Sequence, residues 1–124
     1  MIISELQQYI LEYCVDDDMG LWVVIVNVFG DAYSDTDLLP AWVQETALSE
    51  LKDLLKKGLI QIGQHVHEDK DWVFIVFPGG DEEVIQKVKE DWNNLERNPS
   101  GGDVCWIRST EKGLELARQL GLEP

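Results

Sequence analysis

The stretch from Ala41 to Gly63, AWVQETALSELKDLLKKGLIQIG, restricts the possible folds more than any other part of the chain. Trp42, Val43, Ala47, Leu48, Leu51, Leu54 and Leu55 recur at three- and four-residue spacing, which gathers them onto one face of a helix. Lys56 and Lys57 put positive charge on the last turn, where the carbonyl end of the helix dipole favours it. Gly58 then supplies the left-handed residue that ends helices. Leu59, Ile60 and Ile62 start a strand without a linker, so the remaining elements have to pack around a helix–strand joint.

At 124 residues the chain is expected to form one domain. A chain of this length buries roughly 65 to 70% of its unfolded surface and needs no metal or disulfide staple. Cys14 and Cys105 are expected to be reduced packing residues of a cytoplasmic protein. The N-terminal MIISELQQYILEY has no Lys or Arg ahead of its apolar residues, unlike a secretory or transit peptide. The longest apolar run, Leu21 to Val26, is too short to cross a bilayer.

The formal net charge is −14, and it is unevenly spread. No Lys or Arg precedes Lys52, whereas Glu5, Glu12, Asp16, Asp17, Asp18, Asp31, Asp35, Asp37, Glu45 and Glu50 do. Such an imbalance repels phosphate backbones and anionic membranes over a Debye length of roughly 8 Å at physiological salt. It serves solubility, and it also suits a face that meets a basic partner.

Along the chain, Ser4 and Gln7 form a capping-box pair ahead of a helix whose apolar stripe is Leu6, Tyr9, Ile10, Tyr13 and Cys14. Asp16, Asp17 and Asp18 are positioned to cap a following helix. A calcium loop is a poor fit, because no pattern of oxygen ligands follows them. Met19 to Phe29 has strand propensity in its valines but the length of a buried helix ended by Gly30, and we expect a helix. Pro40 suits the first turn of the central helix.

A strand over Leu59–Gln64 is followed by HVHEDKD as the turn, then by a second strand, WVFIVF, at Trp72–Phe77. His65 and His67 share a side of the extended chain but lack a third ligand, which favours surface hairpin residues over a metal site. Asp81 is expected to cap a helix with the stripe Val84, Ile85, Val88, Trp92 and Leu95. After the turn-rich NPSGGD come a short strand, Val104–Arg108, the neighbouring caps Ser109 and Thr110, and a last helix stopped by Gly121.

Two stretches carry a resemblance. LKDLLKKGLI, together with the passage from WIRS into TEKGLELARQL through a Thr-x-x-Gly step at Thr110–Gly113, resembles winged-helix regulators at the central helix, the wing and the C-terminal helix. The resemblance implies an α+β, winged-helix-like fold, mostly helical with a small antiparallel sheet. This chain departs from the pattern by inserting a helix, around Asp81 to Glu96, between wing strands. The segment Asp91–Gly113, DWNNLERNPSGGDVCWIRSTEKG, is similar to small acidic bacterial proteins of unassigned function, some of them suspected toxin neutralisers.

Nothing in the sequence marks an enzyme. Ser49, Ser100 and Ser109 stand in no nucleophile elbow, and His65 and His67 have no base or orienting partner that spacing identifies. The glycine pairs at 79–80 and 101–102 lack the Gly-Lys-Ser/Thr ending of a phosphate loop. No cofactor and no metal are implied.

The expected function is therefore non-catalytic protein binding: an acidic domain, of inhibitor or immunity type, that docks a basic partner such as a toxin. The candidate contacts are Glu5, Glu12, Asp16, Asp17, Asp18, Asp31 and Asp35. The alternative is a DNA-binding transcription regulator using Lys52, Lys56, Lys57 and Lys70. A third reading is a small-molecule sensor with an aromatic pocket near Trp72, Trp92 and Trp106.

Overall fold

The computed structural model describes residues 2–30 and 39–122. The described residues form an α+β fold with helices α1 (Glu5–Tyr13), α2 (Leu21–Phe29), α3 (Ala41–Lys56), α4 (Asp81–Asn93) and α5 (Glu111–Gln119). The strands are β1 (Met19–Gly20), β2 (Ile60–Glu68), β3 (Asp71–Val76) and β4 (Trp106–Ser109). They make one antiparallel sheet in the order β1-β4-β2-β3. Helix α4 lies in the connection between β3 and β4, which flank β2 on opposite sides.

One face of the sheet belongs to the core. Met19, Ile60, Ile62 and Ile107 are buried with Ile10 and Leu11 of α1, Leu21 and Ile25 of α2, and Leu51 and Leu54 of α3. Each fully buried side chain of this size contributes about 1.5–3 kcal/mol relative to exposure, so this cluster carries much of the stability. Helix α4 adds Val84, Val88 and Trp92 and packs along α3.

Several local expectations change. Met19–Phe29 divides: Met19 and Gly20 pair with Ile107 and Trp106, and the helix begins only at Leu21. A side chain at position 20 would meet the Gly101 carbonyl at 2.8 Å, so glycine lets the strand sit close to the loop between α4 and β4. The valines of α2 are helical because Val23, Val24 and Ile25 are all buried, and packing overrides their strand propensity. The segment HVHE belongs to β2, not to a turn, since His65, Val66, His67 and Glu68 pair with Phe74, Val73, Trp72 and Asp71. The turn is Asp69–Lys70 alone, with Asp69 at φ 52°, a conformation aspartate tolerates better than most residues.

Caps move too. The acids at 16–18 do not cap α2, whose N-cap is Gly20, and α4 is capped by Gly80, whose N–H donates to the Glu83 carboxylate at 3.3 Å. The Ser4–Gln7 capping box is present, and Pro40 stands at the N-cap of α3.

The joint after α3 is a reciprocal lock. Gly58 has φ 72°; its N–H donates to the Leu55 carbonyl, and the Leu59 N–H to the Leu54 carbonyl, both at 3.0 Å. The first turn of α5 takes up the carbonyls that follow. Lys112 Nζ donates to Lys57 O at 2.7 Å, Thr110 Oγ1 to Gly58 O at 2.7 Å, and Thr110 N–H to Leu59 O at 3.1 Å. Thr110 Oγ1 also accepts from the Gly113 N–H at 3.0 Å, so one hydroxyl caps α5 and ties it to the end of α3.

Gly113 allows this approach, because a Cβ there would lie 2.2 Å from the Leu59 carbonyl oxygen and 2.4 Å from Ser109 Oγ. Gly113→Ala is expected to lower stability by about 1–3 kcal/mol through overpacking. Thr110→Val is expected to cost about 1–2 kcal/mol through the lost cap. Urea unfolding of the two variants measures both; unchanged midpoints would show that the joint tolerates separation.

Candidate functional site on the outer face of the sheet

Alternation along β2 sends Gln61, Gly63, His65 and His67 to the face opposite Ile60 and Ile62. The pairing register brings Phe74 opposite His65 and Trp72 opposite His67 on β3, and Trp106 opposite Gly63 and Arg108 opposite Gln61 on β4. Two histidines, three large aromatics and an arginine therefore share one sheet face. Gly63 lets β3 and the Phe74 ring close over its centre: a Cβ there would lie 3.0 Å from the Phe74 ring and 2.2 Å from the Ile75 carbonyl oxygen.

Asp18 organises this face. Its carboxylate accepts from Arg108 Nε at 2.9 Å and Nη2 at 2.8 Å, a fork-to-fork pair, and lies 2.7 Å from His65 Nε2. The Arg108 guanidinium then lies over the Phe74 ring, 4.2 Å from its centroid. His65 is stacked on Trp106 with centroids 4.5 Å apart and planes 24° from parallel, and meets Phe74 edge-on at 6.0 Å. Burial by itself would raise the Asp18 pKa, but hydrogen bonds from Arg108 and His65, with their charge, outweigh it and hold the carboxyl below its ordinary range.

Beside this network lies a cleft of about 470 Å³ lined by Gln64, His65, Trp72, Gly102 and Trp106. Gly102 closes on the Trp106 indole, which a Cβ at that position would meet at 3.2 Å. The loop carrying Gly102 is held by the Arg97–Asp103 ion pair and by the Ser100 N–H donating to Asp103 at 3.0 Å. It returns to β4 through a γ-turn centred on Val104, at φ 72°, in which the Cys105 N–H donates to the Asp103 carbonyl at 2.9 Å. Gln64 Nε2 donates to the Val104 carbonyl at 3.3 Å. Two indoles, an imidazole and an amide make a lining suited to stacking and hydrogen bonding.

The acids foreseen as partner contacts separate into three groups. Glu5 and Glu12 are exposed on α1, seven residues apart and so on one side of it, and Asp16 and Asp17 are exposed in the turn that follows. Tyr9 and Tyr13 lie between them with ring centroids 6.3 Å apart. The Tyr13 hydroxyl is pushed up in pKa by burial and then by the nearby charge of Asp17. Asp18 is not an outward-facing contact: its side chain is 12% exposed and committed to Arg108 and His65. Asp31 and Asp35 lie outside the described residues.

Three of the four foreseen DNA-contacting lysines are paired within the chain. Lys52 and Lys56 reach Glu82 of α4 at 2.7 and 3.6 Å, and Lys57 reaches Asp53 at 2.7 Å and the Ile2 carbonyl at 2.7 Å. Lys70 is exposed at the β2–β3 turn. Of the three tryptophans expected near one pocket, Trp72 and Trp106 line the cleft, whereas Trp92 is a core residue of α4. Cys14 and Cys105 are free and buried, with burial pushing both thiols to about 12. Among the described residues no group of three His, Cys, Asp or Glu could hold a metal, and no helix is long and apolar enough to cross a membrane.

Sequence reasoning missed the Asp18–Arg108 pair, which spans 90 positions. The alternation in WIR puts Trp106 and Arg108 on one face, but nothing local distinguishes Asp18 from its two neighbours. The chain matches no protein-family model, no curated protein and no solved structure.

A carboxyl held below its ordinary pKa stabilises the fold above that ordinary value, and the contribution is lost as pH falls through the folded-state value. Asp18→Asn is therefore expected to cost about 1.5–3 kcal/mol at neutral pH, the range for a charge-assisted hydrogen bond. The gap to the unmodified protein should close in acid, below the ordinary aspartate pKa of about 4. Urea midpoints across this range measure it, and a gap independent of pH would exclude the ion pair as its source.

Proposed function

We propose that this chain is a winged-helix-like, non-catalytic domain that binds a basic protein through the acidic side of α1, in the manner of an inhibitor or immunity-type protein. The element order supports the fold reading, since α3 leads directly into β2 and β1 joins the sheet beside β4. Helix α4, between the strands that would form the wing, is the departure from the plain pattern.

The observation that carries the functional reading is the contrast between paired bases and exposed acids. Along α3, the helix that would read DNA, Lys52 and Lys56 are paired with Glu82, and Gln44 Nε2 donates to Asn93 Oδ1 at 2.8 Å. One flank of that helix is thus covered by α4, whose first turn contributes Asp81, Glu82 and Glu83. Binding to duplex DNA draws largely on phosphates neutralised by free cations, and here Lys52 and Lys56 share the Glu82 carboxylate, which lowers the positive charge they offer. Glu5, Glu12, Asp16 and Asp17, by contrast, face solvent beside Tyr9 and Tyr13, and tyrosine is enriched at protein interfaces. Opposite charge on the partner would accelerate encounter, an effect that fades with salt.

In capture from the native host, basic proteins are expected to be retained at low salt and released as salt rises. Changing Glu5, Glu12, Asp16 and Asp17 together to the corresponding amides should slow association by about tenfold or more. Salt-insensitive capture of only neutral or acidic proteins would count against the reading. A sequence-specific gel shift abolished by alanine at Lys52, Lys56 and Lys57 would replace it with gene regulation.

A further inference from the structure

The geometry points to the cleft between Trp72 and Trp106 as the seat of an arginine or lysine side chain from that basic polypeptide partner. This inference rests on the protein-binding reading above and assigns it a second, aromatic contact away from the α1 acids.

Four observations carry it. First, Trp72 is 68% exposed at the start of β3, which is the edge strand of the sheet, and it faces the cleft that Trp106 walls on the other side. A large indole left open on an unpaired edge strand marks a contact surface. Second, the same sheet face already holds one guanidinium, that of Arg108 over Phe74 at 4.2 Å. Indole attracts cations more strongly than a phenyl ring does, so the open Trp72 indole is the better acceptor on a face where Phe74 is occupied, with Trp106, stacked on His65, as the opposite wall.

Third, no Lys or Arg among the described residues lines the cleft, and the net charge of the chain, −14, favours a cation. Asp71 and Glu68 stand at the adjoining end of the hairpin but on the opposite face by alternation, and His67 meets Trp72 edge-on with centroids 5.0 Å apart. Arg108 does not offset this field, since Asp18 neutralises it. Fourth, the floor is prearranged: His65 is held by Asp18 and stacked on Trp106, and Gln64 is tied to the Val104 carbonyl. A side chain entering between the indoles meets a wall whose rotamers are already fixed, which lowers the ordering cost of binding. A nucleobase could stack in the same space, but its phosphates would enter a negative field.

The test is a titration of the full chain with a short peptide of alternating glycine and arginine, followed by NMR of the five tryptophan indole N–H signals at low ionic strength. The Trp72 and Trp106 signals are expected to move saturably, while Trp22, Trp42 and Trp92 stay nearly still. Trp72→Ala should weaken binding by about fivefold or more and Trp72→Phe by less, as expected when a cation loses an aromatic face. The matching glycine–glutamate peptide should not bind.

Trp72 is largely exposed, so its variants should fold; an unchanged far-UV spectrum checks this. Peptide binding unaffected by Trp72→Ala, or binding that leaves the Trp72 and Trp106 signals in place, would overturn the cleft and leave the acidic-side reading standing. Shifts in the cleft that survive amide substitution of Glu5, Glu12, Asp16 and Asp17 would support the cleft even if capture through α1 failed. A single-stranded oligothymidylate that moves the same two signals more strongly than the peptide would overturn the inference in favour of nucleic acid.

Discussion

The fold depends on backbone carbonyls that a helix cannot satisfy by itself. Where α3 ends, the Leu54 and Leu55 carbonyls are capped by the Gly58 turn, and those of Lys57, Gly58 and Leu59 are taken by Lys112 and Thr110 at the start of α5. Two segments more than fifty residues apart thereby close each other's ends. With α5 fixed there, β4 lies beside β2, and β4 in turn supplies the pairing edge for β1. A glycine at position 113 is what lets the backbones come this close.

The sheet that this joint positions has two unlike faces. Its inner face is an aliphatic core, and its outer face is aromatic, with an ion pair laid across it. The Asp18–Arg108 pair is partly buried, and its fork geometry with a third partner in His65 offsets the loss of water. The pair orients Arg108 over Phe74 and, through His65, fixes the wall of the neighbouring cleft. One carboxylate of a very acidic chain is thus spent on architecture while its neighbours Asp16 and Asp17 stay in solvent.

Charge is sorted by helix α4 as well. By placing Glu82 beside Lys52 and Lys56, it partly offsets the positive charge along α3. Helix α4 is therefore the element that weakens the DNA-binding reading. Strand β3, which precedes α4, lies on the sheet edge with Trp72 exposed.

Much of the local structure was legible in the residues. The α3 stripe from Val43 to Leu54, though not Trp42, which is half exposed, the Gly58 stop, the Ser4–Gln7 box and the Thr110–Gly113 step depend on neighbours within a turn or two, and short-range spacing encodes them directly. The mixed α+β class and the concentration of acids ahead of Lys52 follow the same way. Tertiary structure alone decided how Met19–Phe29 divides, that HVHE pairs instead of turning, and that Trp92 is core while Trp72 and Trp106 share a cleft. It also chose Asp18 over Asp16 and Asp17 as the partner of Arg108. Those outcomes depend on which surfaces meet across tens of residues, where burial and hydrogen-bond satisfaction outweigh the propensity and periodicity that a sequence displays.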